Sequence, residues 1–540
     1  MSDLLSTARA WAEADPHAGD RAEIEALISS ADVAELARRF AGPLTFGTAG
    51  LRGPLRAGPA GMNAAVVTRA AAGLARYLAD SGSAGGGVVI GYDARRRSDE
   101  FAHISAAVLS AAGFAVQVLP KALPTPVLSF AVRHLGCAAG VMVTASHNPP
   151  DDNGYKVYLG DGAQLVPPAD RQIETAIAAV GPAREVPVSD DWLTLGDDIA
   201  ADYVAAVVAA LEPARVPGRS ALTVAYTAMH GVGAETTRAV FAAAGLAEPV
   251  SVPEQDAPDP AFPTVAFPNP EEPGATDLLK ALVSRVGADV AIAEDPDADR
   301  CAVVCGGRQL TGDEVGALLA DWLLRRGVRG TYASSLVSGS LMHVVAGAAG
   351  QPSAETPTGF KWIIRAGSAE APLVFGYEEA LGYAVSPTVA RDKDGISAGL
   401  AVSLLAAELK ESGRTLLDRL DELAVEHGLF VTGQLAVRVE DLSLISDAMA
   451  RLRAAPPSTL LGRPVVFSDL ALEEPSVDAV RLLGDGVRVI VRPSGTEPKL
   501  KAYLETVVPV HEDAGLIAAR GRGEDELDQL RTEMTAALGI

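Results

Sequence analysis

The sequence predicts a chain of α/β domains that ends in an α+β domain. Between about residues 86 and 425, short apolar runs alternate with helical segments of about 10–15 residues, which is typical of βαβ units on a mostly parallel sheet. Towards the C-terminal end, strand-like runs follow one another with few helices between them. A chain of 540 residues is long enough for three or four domains, each with its own core.

Apolar periodicity locates the individual elements. Residues 3–40 repeat near a 3.6-residue period, which predicts a helical extension whose second helix is capped by Asp20. Beyond this extension, strands are predicted at 88–92, 115–119, 138–143, 222–226, 289–293, 372–375, 433–439, 465–467, 487–491 and 500–506. Further helices are predicted at 98–112, 126–134, 233–244, 276–286, 395–410, 443–454 and 524–538. Pro- and Gly-rich joints predict an extension at 1–40 and domains at 41–212, 213–325, 326–432 and 433–540.

Composition excludes several classes of partner. The net charge of −24 makes nucleic acid and anionic membrane surfaces poor partners. Three cysteines cannot build a disulfide framework, and Cys301 and Cys305 are expected to be buried in one strand. No apolar run reaches the roughly 18 residues needed to span a bilayer, and no basic leader precedes the first helix. We therefore expect a cytoplasmic protein.

The sharpest local signal is the segment Asp295–Arg300, here called the metal loop, which follows a predicted strand. In an extended loop, Asp295, Asp297 and Asp299 would project to one side. Three crowded carboxylates repel one another unless a hard cation such as Mg²⁺, Mn²⁺ or Ca²⁺ lies between them. The spacing of an EF-hand does not fit, because its glycine and glutamate positions hold Arg300 and Gly306. The alternative is a solvated acidic turn.

Three further motifs carry polar groups suited to chemistry. Ser146 and His147 follow a predicted strand, where α/β folds place reactive groups, although a plain polar turn is equally compatible. Arg492–Lys501 combines glycine, small hydroxyl residues and cations, as in a phosphate-binding loop, or forms a basic turn without a ligand. Glu378 lies beside aromatic residues after a strand, where it could bind sugar hydroxyls or begin a helix.

Together, these four motifs resemble, in order, those of the α-D-phosphohexomutase superfamily of phosphoglucomutases and phosphomannomutases. The resemblance covers about residues 45 to 505 and is supported by the stretches Phe46–Gly53, Gly154–Tyr158 and Thr358–Lys361. It implies three related α/β domains plus a smaller α+β C-terminal domain around a central cleft. It also implies that the protein is a phosphosugar mutase, which is an intramolecular phosphotransferase. Such an enzyme interconverts sugar 1-phosphate and 6-phosphate through a phosphoserine enzyme and a bisphosphate intermediate.

The resemblance assigns roles to individual residues, with Mg²⁺ as the cofactor. The implied catalytic residues are Ser146, His147, Lys156 and Arg52, with Lys156 a candidate general acid/base. The implied metal ligands are Ser146, through a phosphate oxygen, and Asp295, Asp297 and Asp299. The implied substrate-binding residues are Arg300, Gly359, Lys361, Glu378, Arg492, Ser494, Gly495, Thr496 and Lys501.

Two departures bear on the substrate. Ala380 replaces a common serine and Phe360 a frequent histidine. Together with Gly154–Tyr158 and Asp392–Gly395, they resemble the branch that includes phosphopentomutases and glucose-bisphosphate synthases. We expect glucose phosphate first, with mannose phosphate and pentose 1-/5-phosphate as alternatives, and a bisphosphorylated sugar as activator. A monomer or small homo-oligomer is expected. A metal-dependent sugar phosphatase and a non-catalytic sugar-phosphate sensor are the competing functions.

Overall fold

The structure is a computed structural model that describes residues 2–46, 50–216, 218–439, 441, 443–494, 499–510 and 515–539. The chain forms two compact units. The first unit contains Met1–Gln309 and Leu381–Glu408, and the second contains Leu310–Ala380 and Leu409–Ile540.

Helices and strands alternate through most of the chain. The α-helices are α1 Ser2–Ala14, α2 Ala18–Ser29, α3 Val33–Arg39, α4 Ala64–Leu78, α5 Ser98–Ala111, α6 Thr125–His134, α7 Ala169–Ala178, α8 Asp198–Leu211, α9 Gly233–Ala244, α10 Asp277–Val286, α11 Gly312–Arg325, α12 Leu341–Ala348, α13 Phe360–Ile363, α14 Gly395–Glu411, α15 Leu416–His427, α16 Ser443–Ala454 and α17 Leu516–Leu538. The strands are β1 Leu51–Pro54, β2 Gly87–Tyr92, β3 Ala115–Val118, β4 Ala139–Val143, β5 Asp152–Leu159, β6 Leu193–Thr194, β7 Val224–Thr227, β8 Val250–Ser251, β9 Val290–Glu294, β10 Cys301–Cys305, β11 Arg308–Gln309, β12 Thr331–Ser335, β13 Ser353–Thr356, β14 Leu373–Glu378, β15 Gly382–Ala384, β16 Leu429–Arg438, β17 Thr459–Leu460, β18 Arg463–Asp469, β19 Val480–Gly484, β20 Val487–Pro493 and β21 Lys499–Val508.

The N-terminal extension is helical, but its predicted cap is wrong. His17 caps α2, because its ring nitrogen accepts the Asp20 N–H at 3.1 Å. Asp20 is instead buried, where it accepts two hydrogen bonds from the Arg97 guanidinium at 2.8 and 3.0 Å and one from the Ala64 N–H at 3.1 Å. A partner distant in sequence therefore takes the carboxylate that the local pattern assigned to a cap.

Two sheets form the core of the first unit. One has the order β1-β5-β4-β2-β3-β6, in which the pairs β6–β3, β3–β2 and β2–β4 are parallel and the pairs β4–β5 and β5–β1 are antiparallel. The other has the order β11-β10-β9-β7-β8, with β8, β7 and β9 parallel. Strands β4 and β9 are buried along their whole length, as central parallel strands are. Their carboxyl ends lead into the Ser146 segment and the metal loop.

The strand that follows the metal loop contains two of the cysteines. Cys301 and Cys305 lie at the two ends of β10, and both are buried free thiols. The interpretation of this pair as small core residues of a strand is confirmed.

The second unit combines parallel and antiparallel sheets. In its first part, β12 pairs in parallel with β13 and β14. Its C-terminal part is an antiparallel sheet of order β16-β21-β20-β19-β18-β17, whose core includes residues of α16 and α17. The predicted change from α/β to α+β is confirmed. Among the described helices, none combines the length and apolar character that crossing a bilayer requires.

Candidate active site

The three aspartates of the metal loop converge. All are fully buried, and one oxygen from each lies within 4.8 Å of the others. The loop is a turn and not the extended segment that was expected: the Ala298 N–H donates to the Asp295 carbonyl at 2.8 Å, and Ala298 has a φ of 54°. The closed turn therefore brings the carboxylates together.

Cations from other elements face these carboxylates. The Lys156 ammonium, on β5, donates to Asp297 at 2.7 Å and to Asp299 at 2.8 Å. Burial alone would lower the pKa of Lys156, but Asp297 and Asp299 raise it above its usual range. Burial likewise acts to raise the pKa of Asp299, but Lys156, Lys393 and Arg300 together hold it below its usual range. The group is a charge-compensated cluster rather than a solvated acidic turn.

The metal loop retains free acceptors for a cation. Asp297 Oδ1 and Asp299 Oδ1 are buried and, within the part of the chain that the structure describes, accept no hydrogen bond. The pKa of Asp295 is raised well above its usual value by burial and by the other two aspartates. Unpaired buried carboxylate oxygens are costly unless a ligand satisfies them. Oxygen donors alone suit a hard divalent cation, so these residues fit a metal site of the kind expected.

Ser146 lies against the metal loop. It follows β4, is buried, and has a φ of 51°, in the left-handed region that few non-glycine residues adopt. Its Oγ donates to Asp295 Oδ2 at 2.5 Å, and His147 Nδ1 is 3.5 Å from Ser146 Oγ. The structure therefore brings the predicted hydroxyl and the predicted metal ligands into direct contact.

Two arginines and His147 complete this group. Arg52, on β1, donates from Nη1 to Asn148 Oδ1 at 3.3 Å, and Arg300 Nε is 3.7 Å from Asp299 Oδ1. Burial, followed by the positive charges of Arg300 and Arg52, holds the pKa of His147 well below its usual range. The imidazole is thus neutral at physiological pH, with one nitrogen able to donate and the other to accept.

Sequence reasoning missed two residues that contact the metal loop. The Thr125 hydroxyl donates to Asp297 Oδ2 at 2.6 Å, and its N–H donates to the Asp297 carbonyl at 2.9 Å. Lys393 Nζ is 3.4 Å from Asp299 Oδ2. Thr125 had no motif to reveal it, whereas Lys393 belongs to the Asp392–Gly395 segment that the sequence had singled out only as a branch feature.

The predicted sugar-binding residues belong to the second unit. Gly359 immediately precedes α13, which contains Lys361, and its φ of 109° is one that L side chains rarely adopt. Glu378 is the last residue of β14 and is half-buried. The next residue, Glu379, was not predicted, yet its carboxylate accepts from the hydroxyls of Ser335 and Ser338 at 2.9 and 3.2 Å.

The predicted phosphate-binding loop connects β20 and β21. Arg492 and Lys501 are direct partners across this antiparallel pair, so two cations lie side by side near the end of the hairpin. Ser494 follows β20 and is half-buried. Gly495 and Thr496 lie outside the described residues.

Comparison with known proteins identifies one family along most of the chain, from residue 43 to residue 519. Sequence models of four domains of phosphoglucomutase/phosphomannomutase match in order: α/β/α domain I at residues 43–184, α/β/α domain II at 201–308, α/β/α domain III at 311–425 and the C-terminal domain at 435–519.

Individual relatives differ in the sugar that their names specify. A Haemophilus influenzae protein named "Probable phosphomannomutase" is 44% identical over 474 residues, which cover 85% of this chain and 96% of that protein. The phosphopentomutase of Mus musculus is 34% identical over 555 residues, covering 92% of this chain and 89% of the relative. A solved structure of a phosphoglucomutase/phosphomannomutase family protein from Burkholderia thailandensis has the same fold, with a TM-score of 0.68 at 21% identity over 91% of this chain and 97% of that one.

Proposed function

Because the chain belongs to the phosphoglucomutase/phosphomannomutase family, whose members move a phosphoryl group within a sugar phosphate, we propose that Ser146 carries that phosphoryl group. The observation that supports this role is the contact between Ser146 Oγ and Asp295 Oδ2 at 2.5 Å. A buried hydroxyl beside three converging carboxylates is poised for chemistry that involves a metal and a phosphate.

Mg²⁺ is the proposed metal. Asp297 Oδ1 and Asp299 Oδ1, the buried oxygens without a partner among the described residues, would hold it together with Asp295. When bound there, the ion would neutralise negative charge on the phosphoryl oxygens during transfer.

The proposed transfer is reversible and consumes no water. A sugar hydroxyl oxygen forms a bond to the phosphorus on Ser146 while the bond between phosphorus and Ser146 Oγ breaks. The sugar hydroxyl loses its proton to a general base, for which the neutral imidazole of His147 is the candidate. Ser146 Oγ takes up a proton from a general acid, for which the Lys156 ammonium is the candidate because its pKa is raised. Arg52 supplies positive charge beside Ser146. The resulting bisphosphate then returns its other phosphoryl group to Ser146, which completes the isomerisation.

Further residues are proposed to bind the parts of the substrate that are not transferred. Glu378, Gly359, Lys361 and Arg300 are the candidates for binding the sugar. Arg492 and Lys501 carry the charge that a distal phosphate needs, and Ser494, Gly495 and Thr496 would supply further donors.

We propose glucose phosphate as the first candidate substrate. The substitutions Ala380 and Phe360 and the segments Gly154–Tyr158 and Asp392–Gly395 resemble a branch that includes both phosphopentomutases and glucose-bisphosphate synthases, so this resemblance fits pentose as well as glucose phosphates. Mannose and pentose phosphates are the alternatives, and they are the sugars that the names of the two relatives specify.

An isomerase assay tests the proposal. The protein is incubated with Mg²⁺, a trace of bisphosphorylated sugar and the 1-phosphate of glucose, mannose or ribose, and formation of 6- or 5-phosphate and release of inorganic phosphate are both measured. We expect isomerisation without phosphate release, and its loss in Ser146→Ala but not in the control Ser29→Ala on α2. Full turnover by Ser146→Ala would overturn the phosphoserine mechanism, and phosphate release without isomerisation would favour the phosphatase.

A further inference from the structure

The segment 144–152, here called the serine loop, closes around one arginine. Arg95 is only 3% exposed, and its guanidinium donates four hydrogen bonds to main-chain carbonyls of the loop. Nη2 donates to the carbonyls of Ser146 and Asn148, both at 2.6 Å, and Nη1 to those of Pro149 and Asp152 at 2.8 and 3.1 Å. One side chain thereby fixes four peptide groups around Ser146.

Asp93 links this arginine to the other side of Ser146. Its Oδ1 accepts the Arg95 N–H at 3.0 Å and the Ser98 hydroxyl at 2.7 Å, and its Oδ2 accepts the Thr144 hydroxyl at 2.6 Å. Thr144 Oγ1 in turn accepts the Ser146 N–H at 2.8 Å. The amide nitrogen and the carbonyl oxygen of Ser146 are thus both tied to Asp93, one through Thr144 and the other through Arg95.

This network surrounds a strained residue. A φ of 51°, such as that of Ser146, is unfavourable for a non-glycine residue and persists only where the surrounding structure holds it. Two hydrogen bonds hold the backbone of Ser146 in place: its N–H donates to Thr144 Oγ1, and its carbonyl accepts from Arg95 Nη2. They hold the conformation in which Ser146 Oγ reaches Asp295 at 2.5 Å.

Arg95 is arranged for this task and not for binding a phosphate. Both terminal nitrogens donate to carbonyls, its Nε faces Asp93 Oδ2 at 3.6 Å, and the Phe262 ring lies 5.0 Å from the guanidinium carbon. The cation is therefore enclosed by the protein.

We propose that Arg95 and Asp93 are positioning residues for phosphoryl transfer, which hold Ser146 in its left-handed conformation and aim its Oγ at the metal loop. The inference rests on the proposed role of Ser146. Because transfer needs the reacting atoms to be aligned, and misplacement by about 1 Å costs about 100-fold in rate, loss of this support lowers the rate of transfer rather than the affinity for substrate.

Variants of Arg95 test the proposal in the full-length protein. Arg95→Lys keeps the charge, but a compact ammonium with three donors cannot bond all four carbonyls, and Arg95→Met removes every donor. Arg97→Met is the matched control, because Arg97 bonds Asp20 and Glu100 and no residue of the serine loop among those described. The rate at which Ser146 is phosphorylated by a bisphosphorylated sugar is measured in a single turnover by mass spectrometry, and sugar monophosphate binding is measured by calorimetry.

The expected result is about 100-fold slower phosphorylation in both Arg95 variants, with the dissociation constant of the sugar monophosphate within twofold of wild type and Arg97→Met at the wild-type rate. A folded Arg95→Met with the wild-type rate would overturn the proposal. A slower rate accompanied by an equal loss of binding would assign Arg95 a merely structural role and would also overturn it.

Two further measurements make the test robust. If Arg95→Met does not fold, two variants of Thr144 test the other link to Ser146: Thr144→Val removes the hydroxyl, and Thr144→Ser retains it. We expect slow transfer to Ser146 in Thr144→Val and a rate close to wild type in Thr144→Ser. Equal rates in the two variants would overturn the proposal.

Wild-type protein measured in parallel separates the proposed function from the positioning role. If wild-type Ser146 is never phosphorylated, the proposed function fails and this inference fails with it. If wild type and all variants are phosphorylated equally fast, only the positioning role fails.

Discussion

Replacing Lys156 with methionine tests how the metal loop balances its charge. The ammonium is fully buried and donates to Asp297 and Asp299 at 2.7 and 2.8 Å. Methionine preserves most of the side-chain volume but removes the charge and both donors. The change leaves two buried carboxylates that have lost their shortest ion pairs, while the oxygens Asp297 Oδ1 and Asp299 Oδ1 are untouched.

The variant is expected to be less stable without metal. Removal of one partner from a buried ion pair typically costs about 3–5 kcal/mol. An unfolding entropy of about 2.1 cal/mol/K per residue gives about 0.7 kcal/mol/K for the first unit, so the melting temperature in EDTA should fall by at least about 4 °C.

Mg²⁺ should compensate for much of this loss. The Lys156 ammonium repels any cation held by Asp297 and Asp299, so its loss should tighten Mg²⁺ binding at least about tenfold. The dependence of the melting temperature on Mg²⁺ concentration reports the dissociation constant, because a ligand that binds only the folded state stabilises it by RT ln(1 + [L]/Kd).

Lys280→Met, on α10, is the matched control, since Lys280 is half-buried and its ammonium makes no ion pair among the described residues. Lys280→Met should change neither the melting temperature in EDTA nor the dissociation constant for Mg²⁺. An unchanged melting temperature of Lys156→Met in EDTA, or weaker Mg²⁺ binding by that variant, would refute the reasoning.

Two further predictions concern other contacts. A Cβ at Gly231 would lie 2.4 Å from the backbone of Pro296, inside the metal loop, so Gly231→Ala should weaken Mg²⁺ binding and turnover at least about tenfold. Gly347→Ala is the control and should change neither, because a Cβ at Gly347 would have no neighbour within 4 Å in the part of the chain that the structure describes. Equal effects of the two substitutions would contradict the prediction. Burial raises the pKa of Asp313 to about 6 from its ordinary 3.8, so the folded state holds a proton that the unfolded state has released, and stability falls as pH rises from about 4 to about 6. In Asp313→Asn the amide oxygen can still accept the Gly339 N–H, so the melting temperature of this variant should rise relative to that of wild type as pH increases from about 4 to about 6. A constant difference in melting temperature across this pH range would contradict the prediction.

Local patterns predicted many of the elements and the convergence of the aspartates, but they left the helices α4, α8 and α11 and the strand β5 unpredicted. The alternation of apolar runs and helical segments reflects burial, which acts residue by residue, and the spacing of Asp295, Asp297 and Asp299 operates within one turn. The positive φ of Ala298 was not predictable, because nothing in the local residue types distinguishes a turn from an extended loop there.

Contacts between distant segments lay beyond the sequence pattern. Lys156 bonds a carboxylate 141 residues away, and Thr125 bonds one 172 residues away, so both contacts depend on how the two sheets of the first unit are arranged. Asp20 shows the same limit, since a capping pattern was present but Arg97, 77 residues away, took the carboxylate. Arg95 left no motif at all, because its partners are main-chain carbonyls, which every residue has.

The central claim is that Ser146 carries a phosphoryl group between two positions of one sugar. The most direct measurement incubates the protein and Mg²⁺ with a bisphosphorylated sugar whose phosphoryl groups are radiolabelled, isolates the protein, and then adds unlabelled sugar monophosphate. We predict one labelled phosphoryl group per chain, located on Ser146, and its complete transfer to the added sugar. Absence of label on Ser146, or its loss from the protein as inorganic phosphate, would contradict the account.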